Sequence, residues 1–136
     1  TMPRLGPRRS ALQYPIASIA ALGAPISFGS DWPVSSVSPL QGLAVAVTRQ
    51  NAQGAPESGW LPEERVPIAQ ALAAYTAGTA YQAFDHRAGT LAVGAAADFC
   101  VLEKDITTMS GREIADVGVV QTYLGGERAG PGDSGD

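Results

Sequence analysis

The sequence predicts an α/β chain, with helices leading and strands following. Three observations carry this: an apolar helix-period segment closed by Gly23, a short apolar run bounded by Gly and Pro after it, and a change to strand-like segments beyond His86. Ile16, Ile19, Ala20 and Leu22 fall near helical spacing. Tyr14-Pro15 suits the start of that helix, because Pro is tolerated in a first turn, and Gly23 suits its end. Residues 25–31 then read as a buried parallel strand, so helix, Gly turn and strand form half of a repeating β/α unit.

Ser38-Pro39 predicts an N-cap and first helical residue for a helix through Leu40, Leu43, Val47 and Thr48. Residues 50–59 are a polar Gly/Pro loop. Pro62-Glu63-Glu64 predicts the start of the next helix, with acidic residues at its positive end and an apolar face of Ile68, Leu72, Ala73 and Tyr75. Gly78 is the expected break, with a further short helix through Tyr81 to Phe84. Beyond residue 88, Gly89-Thr90-Leu91, Phe99 to Leu102 and Val119 to Leu124 carry strand signals, and Gly125-Gly126 reads as a hairpin turn. Residues 1–12 read as an irregular lead-in, and residues 130–136, without apolar content, as a disordered tail.

Composition narrows the function classes. The chain has 136 residues, 45% of them hydrophobic and 16% charged, which suits a folded domain with one modest core. Its net charge of −4 gives no electrostatic reason to bind nucleic acid. Arg4, Arg8 and Arg9 read as a solvated surface arm. Cys100 is the one cysteine, so no intrachain disulfide forms; its apolar neighbours predict a buried, inert thiol in a strand. No apolar run nears the ~18 residues of a membrane span, and no signal peptide opens the chain, so a cytoplasmic protein is expected. Met2 reads either as a start or as an internal residue.

One stretch carries chemistry. Gly29-Ser30-Asp31-Trp32-Pro33-Val34 puts a carboxylate at the end of the expected strand, where α/β barrels place their reactive groups. It is followed in order by Pro39-Leu40, Ala46-Val47-Thr48-Arg49, Ala71-Leu72 with Tyr75-Thr76, Ala80-Tyr81, Gly89-Thr90-Leu91 with Gly94, Ala97-Asp98-Phe99, and Val120 through Gly125-Gly126. This ordered series resembles the amidohydrolase superfamily, in its branch of metal-dependent amide hydrolases with a TIM-barrel fold. The resemblance implies that residues 1–87 are the C-terminal part of the barrel, its last strand near 25–31. Residues 88–129 would be strands of the accompanying small β-sandwich.

It further implies that Asp31 matches the family's metal-binding Asp, usually a zinc ligand. That residue also takes a proton from the attacking water and passes it to the leaving nitrogen. Trp32 follows the ligand and is expected to line the substrate pocket or pack over the strand end. Asp98 is expected to shape a turn.

The chain departs from the family pattern in its other ligands. The family takes a His-x-His pair, a mid-barrel Lys or acid and two further His; here His86 is the one histidine and is expected to be exposed or helix-terminal. Ser30, Ser35 and Ser36 have no His partner to make them nucleophiles. The expectation is therefore a fragment of a hydrolase acting on carbon–nitrogen bonds other than peptide bonds in small amide-type substrates. On its own it should be inactive and hold no metal. Its unpaired strand edges are expected to drive self-association. The alternative is a non-catalytic structural or interaction module built on the same half.

Overall fold

The computed structural model describes residues 2–130. Most of the expected tail at 130–136 lies outside them. Five α-helices come first: α1 (Met2–Ser10), α2 (Ile16–Ala21), α3 (Pro39–Thr48), α4 (Ile68–Tyr75) and α5 (Ala77–Gln82). Three strands follow, β1 (Phe99–Leu102), β2 (Val119–Leu124) and β3 (Glu127–Ala129), in an antiparallel sheet of order β1-β2-β3. The mixed α/β content agrees with the sequence.

The lead-in is helical where an irregular segment is expected. Two helical pieces meet at Gly6, whose φ of 71° and ψ of 167° lie outside the helix. Pro7 follows this kink at a first-turn position, where its missing N–H costs nothing. The next helix runs as expected, and Gly23 (φ 75°) closes it by donating to the Ala20 carbonyl at 2.9 Å.

Residues 24–30 carry no regular secondary structure. A strand needs a hydrogen-bonded neighbour, and the main-chain link here is a single bond from the Phe28 N–H to the Ala74 carbonyl of α4 at 3.0 Å. Gly78 explains how close this segment lies. A Cβ there would overlap the backbone oxygen of Ile26, so only glycine lets α5 pack against it.

The helix expected from Pro62 is corrected. Pro62–Glu64 form one 3-10 turn, and α4 begins only at Ile68. Pro67 is the reason: it has no N–H to donate and pushes Val66 out of helical geometry. The break between α4 and α5 falls at Thr76 (φ −116°, ψ −89°), two residues before Gly78. On α4 the buried residues are Ala71 and Ala74, whereas Ala73 is exposed. Ser38 sits at the N-cap of α3 but makes no side-chain cap; Pro39 does occupy the first turn.

Gly89-Thr90-Leu91, expected as strand, is turn and coil. Gly89 (φ 82°) lies against Ala77 and Thr76 rather than beside a strand. Gly125-Gly126 form the expected hairpin, with Leu124 opposite Glu127 and φ values of 62° and 84°. Asp98 plays its expected turn role: its Oδ1 accepts from the Gly125 N–H at 2.7 Å, tying the hairpin to the start of β1. Cys100 lies in β1 as expected but is exposed, because the single sheet leaves its face uncovered.

The core forms where α3 and α4 meet the segment between β1 and β2. Leu40, Leu43 and Ala44 of α3 and Ala71 of α4 cluster with Val66, Ile106, Ile114 and Val117. Residues on both sides of position 88 thus share one cluster. No helix of the described residues is long and apolar enough to cross a membrane.

Candidate functional site

The motif around Asp31 folds into a tight loop between residues 24–30 and α3. Asp31 has φ 50°, a left-handed conformation that Asp tolerates better than most side chains. The Val34 N–H donates to the Asp31 carbonyl at 2.8 Å. The Trp32 N–H donates to Ser30 Oγ at 3.3 Å, and the Ser35 hydroxyl donates to the Ser30 carbonyl. The Trp32–Pro33 peptide is cis. The loop thus satisfies itself through main chain and serines. The Asp31 carboxylate is exposed and makes no hydrogen bond among the described residues.

Asp31 lines a cavity of about 540 Å³. Its walls come from the Asp31 loop with Phe28, from Tyr75 of α4, and from the face of α3 that carries Gln41, Gly42, Val45 and Ala46, ending on Arg49. Ser30, Ser35 and Ser36 line it too, but His86 does not and is exposed beyond α5. Trp32 is 68% exposed and is not among the walls.

Arg49 is the residue whose importance sequence reasoning passes over. It stands in the Ala46-Val47-Thr48-Arg49 motif with no role attached; the available signal is a cation ending an apolar helix. The structure buries it to 7% exposure. It closes α3 in left-handed geometry, with its N–H donating to the Val45 carbonyl at 2.7 Å. Arg49 Nε donates to the Trp60 carbonyl at 3.0 Å, and the Trp60 N–H donates back to the Arg49 carbonyl at 2.8 Å. The guanidinium carbon sits 5.2 Å from the centre of the Trp60 ring, a cation–π contact. This double link closes the loop at 50–59. Burial pulls the Arg49 pKa down, while Glu64, Glu63 and Tyr14 oppose that; the group stays charged.

Glu64 is the second buried charge, 6% exposed. Its Oε2 accepts from the Ser18 N–H at 3.0 Å, and its Oε1 accepts from the Ser18 hydroxyl. Ser18 lies in the first turn of α2, and Pro15 offers that helix no side-chain cap. Glu64 therefore caps α2 from 46 residues away in sequence, placing a negative charge at its positive end.

The hydroxyl bond from Ser18 holds the Glu64 carboxyl below its ordinary pKa, with the Ser18 N–H and Arg49 adding to the effect. A depressed carboxylate pKa stabilises the fold above the unfolded-state value and is lost as pH falls through the folded one. Stability is therefore expected to fall as pH drops below about 4.3, the ordinary Glu value. Glu64→Gln should flatten that part of the Tm-against-pH profile and lower Tm near neutrality. An unchanged acid limb in Glu64→Gln would refute the cap.

As a metal ligand, Asp31 fits one corner of a site: an accessible oxygen donor with no competing partner. Such a site takes three or four protein donors, or three with water. Among the described residues no three His, Cys, Asp or Glu stand close enough to complete it.

Comparison with known proteins places the chain in context. The sequence model of the Amidohydrolase family matches residues 1–129. The chain is 33% identical over 130 residues to Protein LONG AFTER FAR-RED 3 of Arabidopsis thaliana, covering 94% of this chain and 22% of that protein. It is 30% identical over 114 residues to the N-substituted formamide deformylase of Arthrobacter pascens, covering 83% of this chain and 20% of that one. The chain thus spans about a fifth of the length of these relatives. No solved structure matches it. With a family match across nearly its whole length, the chain belongs to the amidohydrolase family.

Proposed function

We propose that the parent of this chain is a metal-dependent hydrolase of carbon–nitrogen bonds other than peptide bonds, and that Asp31 is both a metal ligand and its proton carrier. One observation supports this above the rest: in an amidohydrolase-family chain, Asp31 presents an exposed carboxylate, with no hydrogen bond among the described residues, on a self-satisfied loop at a cavity wall. A divalent metal, zinc in this reading, supplies the acidity that brings a water's pKa to about 7. Asp31 takes the proton of the attacking water on its carboxylate and returns it to the leaving nitrogen. Trp32, exposed beside it, is available to cover a small amide-type substrate. In this reading residues 1–87 belong to the parent's TIM barrel and residues 88–129 to its β-sandwich. The 136 residues alone are inactive, because one carboxylate does not hold a metal.

The test is metal analysis after dialysis against a chelator and then plain buffer, on the 136-residue chain and on the full-length parent. After zinc is added back and the excess dialysed away, the parent should hold stoichiometric divalent metal and hydrolyse members of a panel led by N-substituted formamides. The short chain should do neither. Stoichiometric zinc in the short chain, or a parent that holds none, would refute the reading; the latter would favour a non-catalytic module.

Self-association belongs to the same reading. β1 is an edge strand, so its outer main-chain groups are open to a second copy. Val101, Val119 and Val120 leave exposed apolar surface on the same sheet. Light scattering on the 136-residue chain should give a mass above one chain that rises with concentration. A single-chain mass at high concentration would count against it.

A further inference from the structure

The Asp31 cavity holds a second polar group that the fold does not use. Tyr75 of α4 reaches across to α3, where a Cβ at Gly42 would overlap its hydroxyl oxygen, so only glycine leaves room for it. Gly42 is itself a wall of the cavity, which puts the hydroxyl end of the ring there. The Tyr75 hydroxyl makes no hydrogen bond among the described residues. Ser10 Oγ, Arg49 Nη2 and Trp60 Nε1 are sealed from solvent without a partner, but Tyr75 Oη is not sealed, so a ligand can reach it.

The ring is half-buried and held in place. It meets Phe28 edge-on, with centroids 5.4 Å apart and planes at 70°. Burial pushes the phenol pKa up, so at neutral pH the group is uncharged and carries its proton.

We propose that Tyr75 is a specificity-determining residue of the parent enzyme, its hydroxyl donating to a hydrogen-bond acceptor on the nitrogen substituent of the substrate amide. The inference rests on the hydrolase reading above and adds a substrate class to it: amides whose substituent is a flat apolar group bearing one neutral acceptor. The hydroxyl comes from α4, a different wall from the Asp31 loop that would meet the scissile bond, so it suits a remoter part of the substrate. Phe28, Val45 and Ala46 give the cavity apolar surface for the body of that substituent. A charged acceptor would lose its hydration for one neutral donor, which favours an uncharged one. A substituent with no acceptor leaves the hydroxyl desolvated and unpaired, and that difference is the source of selectivity.

The test compares N-phenylformamide with its three N-pyridyl counterparts, in which one ring C–H becomes an acceptor nitrogen. kcat/KM is measured for the metal-loaded full-length parent, wild type and Tyr75→Phe. Phe keeps the ring and its contact with Phe28 and removes the hydroxyl alone. For at least one isomer the pyridyl-to-phenyl ratio of kcat/KM should fall about fivefold in the variant, the worth of one neutral hydrogen bond. Comparing ratios cancels the effect of the ring nitrogen on the leaving group. If Tyr75→Phe does not fold by circular dichroism, Gly42→Ala, which displaces the hydroxyl, carries the comparison. Structural damage lowers both substrates together, so ratios unchanged for all three isomers overturn the inference and leave the hydrolase reading standing. A parent inactive on these four but active on other formamides does the same. A parent inactive on every formamide sinks the hydrolase reading and this inference with it.

Discussion

Asp31→Asn in the full-length parent is expected to lower kcat by about 10²–10⁴-fold, with no loss of Tm in the metal-free protein. Asn keeps the size, one oxygen and the tolerance of left-handed backbone that the φ of 50° requires. It loses the negative charge and the ability to carry a proton. The fold should not register the change, because the carboxylate makes no hydrogen bond among the described residues and the loop is held by Ser30, Ser35 and the Val34 N–H. The two readings of Asp31 separate cleanly here. A turn-shaping aspartate would cost stability and spare activity, whereas a ligand and proton carrier does the reverse. Wild-type kcat in the variant at saturating metal would end the catalytic assignment.

Ile114→Ala is expected to destabilise the chain by about 2–5 kcal/mol. Ile114 is 1% exposed and is the largest fully buried side chain among the described residues. It lies in the 3-10 turn Glu113–Asp116, which packs on α3, and belongs to the cluster that joins α3 and α4 to the segment between β1 and β2. Most of that cluster is alanine, valine and leucine, so a void at Ile114 has few large neighbours able to fill it. Against the ~5–15 kcal/mol typical of a whole domain, such a loss removes much of the fold's margin. Ile114→Val should cost only about 0.5–1.5 kcal/mol. Urea unfolding of the two variants measures the difference; equal midpoints would show that Ile114 is not central to the core.

The legible parts of this chain are those whose cause is local. The α2 helix and its Gly23 stop follow from spacing and from glycine's access to positive φ. So does the Gly125-Gly126 hairpin, which needs two such residues in succession. Pro67 was a local signal too, and it outweighs the acidic start at Pro62 because a proline inside a helix removes a hydrogen bond outright. The lead-in was harder to read: α1 is two short pieces meeting at Gly6, each too brief for a periodic pattern. Cys100 was misplaced because an apolar run indicates a strand but not how many of its faces are covered.

The amino-acid order alone determined the family, the loop that carries Asp31 and the α/β character, since each rests on residues adjacent or regularly spaced along the chain. Tertiary structure alone decided that Glu64 caps α2, that Arg49 stacks on Trp60 at the wall of the Asp31 cavity, and that Ile106 and Ile114 complete a core begun by α3. Those outcomes depend on which distant segments meet. A buried charge or a helix end must find its partner wherever the packed chain supplies one, and for Ser18 that partner lies 46 residues away.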